Sequence, residues 1–173
     1  MDVLEAIKGR RSIRAFTNQP VEQKQVETLI DVARHAPSAG NIQPWEFVVV
    51  KNRSVKRQLA VAALNQAFIK EAPVVIVVCA NEVMSESGYG SRGKTLYCVQ
   101  DTAASTQNIL LTAYAMGLGT CWVGAFREEE VKQAIGLPDG VRPFAIIPIG
   151  HAAANPSKRP RRPLNEITHH EEF

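Results

Sequence analysis

The sequence predicts an α+β domain, a central mixed β-sheet flanked by helices, and three observations carry that prediction. Apolar runs of strand length alternate with segments whose apolar residues recur at helical spacing. The run 73–80, PVVIVVCA, is apolar throughout, the pattern of a strand covered on both faces. Residues 96–116 form a long segment carrying Ala103, Ala104, Ser105, Thr106, Ala113 and Ala115. Their small side chains let a second helix approach closely, which makes this either the core helix or a dimer helix.

Taken in order, residues 3–8 read as a short helix and 21–35 as a longer one, with Val26, Leu29, Ile30 and Ala33 on one face and Pro37 closing it. Residues 46–50 form a β-rich run, and Ser54 is expected to cap an amphipathic helix through Leu64. The strand at 73–80 is the sheet centre. Between it and the long helix, 81–96 is short and glycine-rich and reads as a surface loop. Residues 120–123 and 143–149 read as further strands. They are separated by a helix at 128–135 whose first turn holds Glu128, Glu129 and Glu130, where the helix dipole favours acids. Pro156, Pro160 and Pro163 exclude a helix from the basic tail at 155–163. The expected organisation is one domain, 1–154, followed by an extended tail, 155–173.

Length and composition narrow the function. A chain of 173 residues with 45% hydrophobic content can bury one sizeable core. No run approaches the ~20 apolar residues of a membrane span, and the opening Met-Asp-Val-Leu-Glu lacks the plan of a signal peptide. Cys79, Cys98 and Cys121 are an odd set without CxxC spacing, arguing against disulfides and a cysteine-built zinc site. A cytoplasmic protein is expected. His35, His151, His169 and His170 show no HxxxH or HExxH pattern, so no metal is expected.

Net charge is only +3, but eight of the twenty Lys and Arg fall in two clusters. These are Lys8, Arg10, Arg11 and Arg14 near the start, and Lys158, Arg159, Arg161 and Arg162 near the end. Neither interleaves aromatics, and aromatic content is 6%, which argues against nucleic acid. Chain ends often lie together, so both clusters can converge on one polyanion such as a phosphate.

Residues 88–95, GYGSRGKT, satisfy GxxxxGK[ST] and contain GxGxxG, the lettering of a P-loop nucleotidase. A phosphate loop needs its first glycine directly after a buried strand, and here seven residues, 81–87, intervene. The strand-end Asp that would help to hold magnesium is missing, since 144–149 and 120–123 both run into glycine. No acid lies between Ala103 and Phe126 to bind a ribose, so the dinucleotide reading fares no better, and a P-loop nucleotidase using Gly88 to Thr95 stays as an alternative that ATP or GTP binding with magnesium would test.

More specific are Arg10-Arg11-Ser12-Ile13-Arg14-Ala15-Phe16 and, after a helix, Ala36-Pro37-Ser38-Ala39-Gly40-Asn41-Ile42-Gln43-Pro44-Trp45. Three arginines and a serine in five residues supply charged forks and a hydroxyl for a phosphate, a sugar chain and an electron-rich ring edge. The Ser-Ala-Gly-Asn run lets backbone approach a flat ligand, and Asn41 and Gln43 add amides. Together these segments resemble the nitroreductase-like family of FMN-dependent oxidoreductases, with its RRSxRxF-type and PSxxNxQPW-type segments in this order. The run 116–126, MGLGTCWVGAF, is similar to the family's strand beside the flavin ring, and 158–164, KRPRRPL, to its phosphate-binding tail.

The resemblance implies a nitroreductase-like fold with FMN at a homodimer interface. Arg10, Arg159 and Arg161 would pair with the FMN phosphate, with Arg11 in the same cofactor-binding segment. Ser12 would bind the ribityl chain, and Asn65, just before Phe68, is a candidate for the same region. Arg14 would sit by the pyrimidine edge, where a cation favours the charge that reduction adds. Pro37, Ser38, Ala39 and Asn41 would come from the other subunit. Val123, Gly124 and Ala125 would line the ring with backbone N–H groups, and Trp122 either touches it or fills the core. The implied activity is ping-pong electron transfer from NADH or NADPH to a small electron-poor acceptor such as a nitroaromatic or quinone. The flavin carries the chemistry and Arg14 tunes it, so no side chain need be a nucleophile. A non-catalytic flavin-binding protein would share these motifs. Several relatives carry a longer helical lid where this chain has only 81–96, which leaves substrate specificity open.

Overall fold

The computed structural model describes residues 2–173. Helix α1 (Val3–Gly9) is closed at its start by a capping box between Asp2 and Glu5. Helix α2 (Gln23–Ala33) buries Val26, Leu29 and Ala33. A tight turn over 38–43 leads into strand β1 (Trp45–Val50). Helices α3 (Arg53–Ala62) and α4 (Phe68–Glu71) precede β2 (Val74–Asn81). Helix α5 (Glu82–Arg92) passes through a π-helical turn (Gly93–Tyr97) into α6 (Cys98–Ala115). Strand β3 (Gly119–Thr120), helix α7 (Glu128–Ile135) and strand β4 (Val141–Gly150) complete the domain. From Ala152 onward every residue is exposed.

The sheet order is β1-β2-β4-β3 and all three pairings are antiparallel. Its parallel component among the described residues is one isolated bridge, Ser12 to Thr120. Along β2 the side chains alternate between two cores, as the strand period requires. Val74, Ile76 and Val78 join α2 and α6 on one face, while Val75, Val77 and Cys79 join α3, α4 and α7 on the other. Complete burial of this strand therefore reflects helices on both faces, not parallel pairing.

Three expectations are corrected. Residues 82–96 are helical apart from a break at Tyr89 and Gly90: the Asn81 side chain accepts from the Met84 N–H at 3.1 Å, so α5 starts where β2 stops. Gly88 there lies against the Ile42 side chain, which occupies the space of a Cβ. The cap of α3 is Asn52, whose carboxamide oxygen accepts from Ser54 and Val55 N–H at 2.8 and 3.1 Å. The strand expected at 120–123 is broken after Thr120 and resumes only as a bridge from Val123 to Ile146. Val123 and Ile146 exchange both backbone hydrogen bonds, at 3.0 and 2.9 Å, so the next β4 position facing that side is Pro148. Proline has no N–H to donate, and the ladder opens opposite it.

Candidate functional site

The opening of β3's edge gives the N-terminal segment its place. Ile13 N–H donates to Thr120 O at 2.8 Å, Thr17 N–H to His151 O at 2.9 Å, and Ala153 N–H to Ala15 O at 2.9 Å. Gly119 permits this approach, because a Cβ there would collide with the Ile13 side chain. The two basic clusters are thereby joined: 12–17 lies alongside 151–153, and the tail leaves from that point. Arg10, Ser12, Arg14, Lys158, Arg159 and Arg161 line one cavity of about 630 Å³. That is the size of a small-ligand pocket.

No carboxylate pairs with Arg10, Arg14, Lys158, Arg159 or Arg161 among the described residues. Like charges held together without counter-ions repel one another, so the arrangement favours a polyanion. Arg11 differs, because its guanidinium donates to Lys8 O and Arg10 O, both at 2.8 Å, and caps the end of α1. Beneath the cluster lies Cys121, 1% exposed. Burial pushes its thiol up, and the opposing pull of Arg14, Ser12 and Arg10 does not reverse this. It is an inert thiol rather than a nucleophile.

The same face gathers the loop after α3 and the loop after β3. The Arg14 guanidinium lies 5.9 Å from the centre of the Phe68 ring, which follows Asn65. Asn65 has left-handed backbone, φ 62°. Gln66 Nε2 donates to Ala63 O at 2.8 Å and Ala125 O at 3.3 Å, and Arg127 N–H donates to Ala62 O at 2.9 Å. Gly124 and Ala125 are exposed residues, and their N–H groups make no hydrogen bond within the described chain. The Val123 N–H is not available as expected, since Ile146 takes it at 3.0 Å. Trp122 is 38% exposed and does not fill the core.

The remaining motif residues, Pro37, Ser38, Ala39 and Asn41, stand elsewhere. Ala39 N–H donates to Asp101 Oδ1 at 3.1 Å, near the start of α6. Gly9, beside Arg10, packs against Tyr114 near the end of that helix. Thirteen residue steps along α6, from Asp101 to Tyr114, separate the two anchor points, about 20 Å of rise. One chain therefore does not bring its two most specific motifs into one pocket. The P-loop lettering at 88–95 falls on α5 and the π-turn, and Lys94 is engaged by Glu86 at 3.0 Å. No cluster of three or more His, Cys, Asp or Glu suited to a metal occurs among the described residues, and no helix is long and apolar enough to cross a membrane.

Sequence reasoning did not single out Gln66, Phe68 or Asp101. Asp101 leaves a signal in retrospect: it is the one acid within α6 and stands among small residues.

The Nitroreductase family profile matches residues 7–67 and 54–151. A Methanothermobacter thermautotrophicus protein provisionally named NADH dehydrogenase/NAD(P)H nitroreductase is 37% identical over 163 residues, 92% of this chain and 82% of that protein. Nitroreductase A of Vibrio parahaemolyticus superposes with a TM-score of 0.91 at 30% identity, over 100% of this chain and 77% of the other. The NADPH:FMN oxidoreductase of Vibrio harveyi, solved with NAD+, gives 0.91 at 29% identity, over 99% and 77%.

Proposed function

The chain belongs to the nitroreductase family, and from that membership we propose that it is a homodimeric, cytoplasmic, FMN-dependent oxidoreductase. It takes electrons from NADH or NADPH and passes them to a small electron-poor acceptor such as a nitroaromatic or a quinone. The observation that carries this reading is the cavity at the joined chain ends, where unpaired arginines surround Ser12. A phosphorylated flavin suits that donor set, with charge at one end and amide N–H groups toward the other. FMN, when bound, supplies the hydride chemistry.

Arg10, at the end of α1, and Arg159 and Arg161, carried by the 155–173 arm, hold the phosphate through charge-assisted hydrogen bonds. Ser12 and Asn65 meet the ribityl chain. Arg14 places a guanidinium where reduction adds negative charge, and Phe68 beneath it limits its freedom. The Gly124 and Ala125 N–H groups face the ring, while Val123 supports their loop from the core. Arg11 fixes the end of α1 and so sets the direction of Arg10.

Pro37, Ser38, Ala39 and Asn41 serve the site of the other subunit, which is why they lie about 20 Å along α6 from the arginines of their own chain. The accessible surface supports a dimer. At 10012 Å² it exceeds by roughly 1,600 Å² that of a compact chain of this mass. Val3, Leu4 and Ile7 of α1 and Leu164 of the arm are each at least half exposed. The three cysteines are free and buried, as a reducing compartment allows.

The test is a visible absorption spectrum of the protein purified without added cofactor, followed by NADH or NADPH with oxygen excluded. A yellow protein that bleaches is expected. A colourless protein that takes up no added FMN overturns the reading, and bound flavin that no donor reduces points to a flavin carrier instead.

A further inference from the structure

The 38–43 turn has a backbone that local sequence alone does not hold. Gly40, Asn41 and Gln43 have φ of 53°, 58° and 55°, three left-handed residues within four positions. Glycine takes this conformation freely and asparagine tolerates it, but a glutamine holds it only where its surroundings over-determine it. The backbone hydrogen bonds internal to the turn are Asn41 N–H to Ser38 O at 3.0 Å, Ile42 N–H to Ala39 O at 3.1 Å, and Gln43 N–H to Ser38 Oγ at 3.0 Å, and Gln43 Nε2 also donates to Asn41 Oδ1 at 3.2 Å and Asn41 O at 3.4 Å. They shape the turn, and it packs on α5 through Ile42 against Gly88 and Gly40 against Tyr89. One hydrogen bond ties it to another element: Ala39 N–H to Asp101 Oδ1 at 3.1 Å, across 62 residues of sequence.

Asp101 is 6% exposed. Its second oxygen, Oδ2, is buried without a partner, as are the hydroxyls of Ser105 and Thr106 on the same helix. Burying a carboxyl for one hydrogen bond is a costly way to gain stability. A role at the helix dipole does not account for it either, because an exposed acid in the first turn would serve as well. Moreover, α6 continues from a π-turn and has no free first turn of its own. What the buried carboxyl accomplishes is directional.

We propose that Asp101 is a positioning residue for the cofactor site: its buried carboxyl grips the Ala39 amide and fixes the 38–43 turn in the shape it presents to FMN bound in the other subunit. This rests on the reading above, in which the turn serves that site. Asp101 itself touches neither cofactor nor substrate.

The experiment has two arms. Hydrogen exchange on the cofactor-free protein reads the turn directly, and titration with FMN reads the site. In Asp101→Ala the peptide covering 38–43 exchanges faster while that covering β2 is unchanged, and the Kd for FMN rises about tenfold. Asp101→Asn keeps an oxygen in the Oδ1 position and restores both to within about twofold. A merely structural role would loosen the whole domain and would not be rescued selectively at the turn. Should Asp101→Ala fail to fold, Asp101→Ser, which is too short to reach Ala39, takes its place with the same expectation. Unchanged exchange at 38–43 overturns the anchor. A loosened turn with unchanged FMN affinity overturns its link to the site. If the wild-type protein binds no FMN the functional reading falls, and the exchange arm still judges the anchor.

Discussion

The two halves of the candidate site lie toward opposite ends of α6 and are built on opposite principles. The half near Tyr114 is made of long cations, Arg10 and Arg14 after α1 and Lys158, Arg159 and Arg161 on an extended arm, left without counter-ions. The half near Asp101 is made of backbone, turned through left-handed conformations and held by hydrogen bonds of 3.0 to 3.1 Å. One attracts a charged group from a distance and tolerates mobility. The other offers shape and tolerates little. Dividing the labour this way means that affinity and geometry can be perturbed separately.

The largest effect is expected from the arm. Hydrogen bonds to charged groups contribute about 1.5–3 kcal/mol each, so Arg159→Ala with Arg161→Ala should weaken FMN binding by about a hundredfold or more. Quenching of flavin fluorescence measures it. Retained affinity would mean that the cationic half does not hold the phosphate.

Arg14 should separate binding from rate. Removing an electrostatic stabiliser of developing charge typically costs about 10²–10³ in rate. Arg14→Ala is expected to slow flavin reduction by NAD(P)H at least tenfold in rapid mixing, with FMN affinity changed only about threefold. Arg161→Ala alone should do the reverse. Equal effects from both would erase the distinction between a phosphate cation and a ring-edge cation.

Salt should sharpen the contrast. Exposed charges are screened beyond a few ångströms at molar ionic strength, whereas a buried hydrogen bond is not. Raising sodium chloride should weaken FMN binding to the wild-type protein several-fold. The loss caused by Asp101→Ala should be the same at low and high salt. A salt-dependent loss would place that residue among the attracting charges.

The cationic half was legible in the sequence because charge is a property of residue type. Two clusters near the two ends needed only the convergence that Ile13, Thr17 and Ala153 provide. The turn was legible as a motif, but its separation from the arginines was not, since it depends on where α6 places Asp101 and Tyr114. The helix at 82–92 escaped notice because its glycines read as loop, whereas Gly88 makes room for Ile42. The early end of β3 was set by Pro148, a residue on a different strand whose register no local pattern gives.

The smallest effect concerns stability, where two carboxyls on one chain should respond to pH with opposite sign. Burial holds the Asp101 carboxyl above the ordinary aspartate range, so the folded state binds its proton more tightly than the unfolded state does. Its contribution is favourable below the unfolded value, about 3.9, and is lost as pH rises from there through the raised folded value. Glu128 accepts two hydrogen bonds from Arg142, both at 2.7 Å, and these hold its carboxyl below the ordinary glutamate range. Its contribution is present above the unfolded value, about 4.3, and is lost as pH falls through the lowered folded value. Melting curves from pH 3 to 7 should therefore show Glu128→Gln less stable than wild type at neutral pH, with the gap closing in acid. Asp101→Asn should move the other way, gaining on wild type as pH rises. Because the Glu128–Arg142 pair is partly exposed, its effect should be at most about 1 kcal/mol. A gap for Glu128→Gln that persists at pH 3 would mean that packing around the side chain, and not its charge, is what the substitution removes.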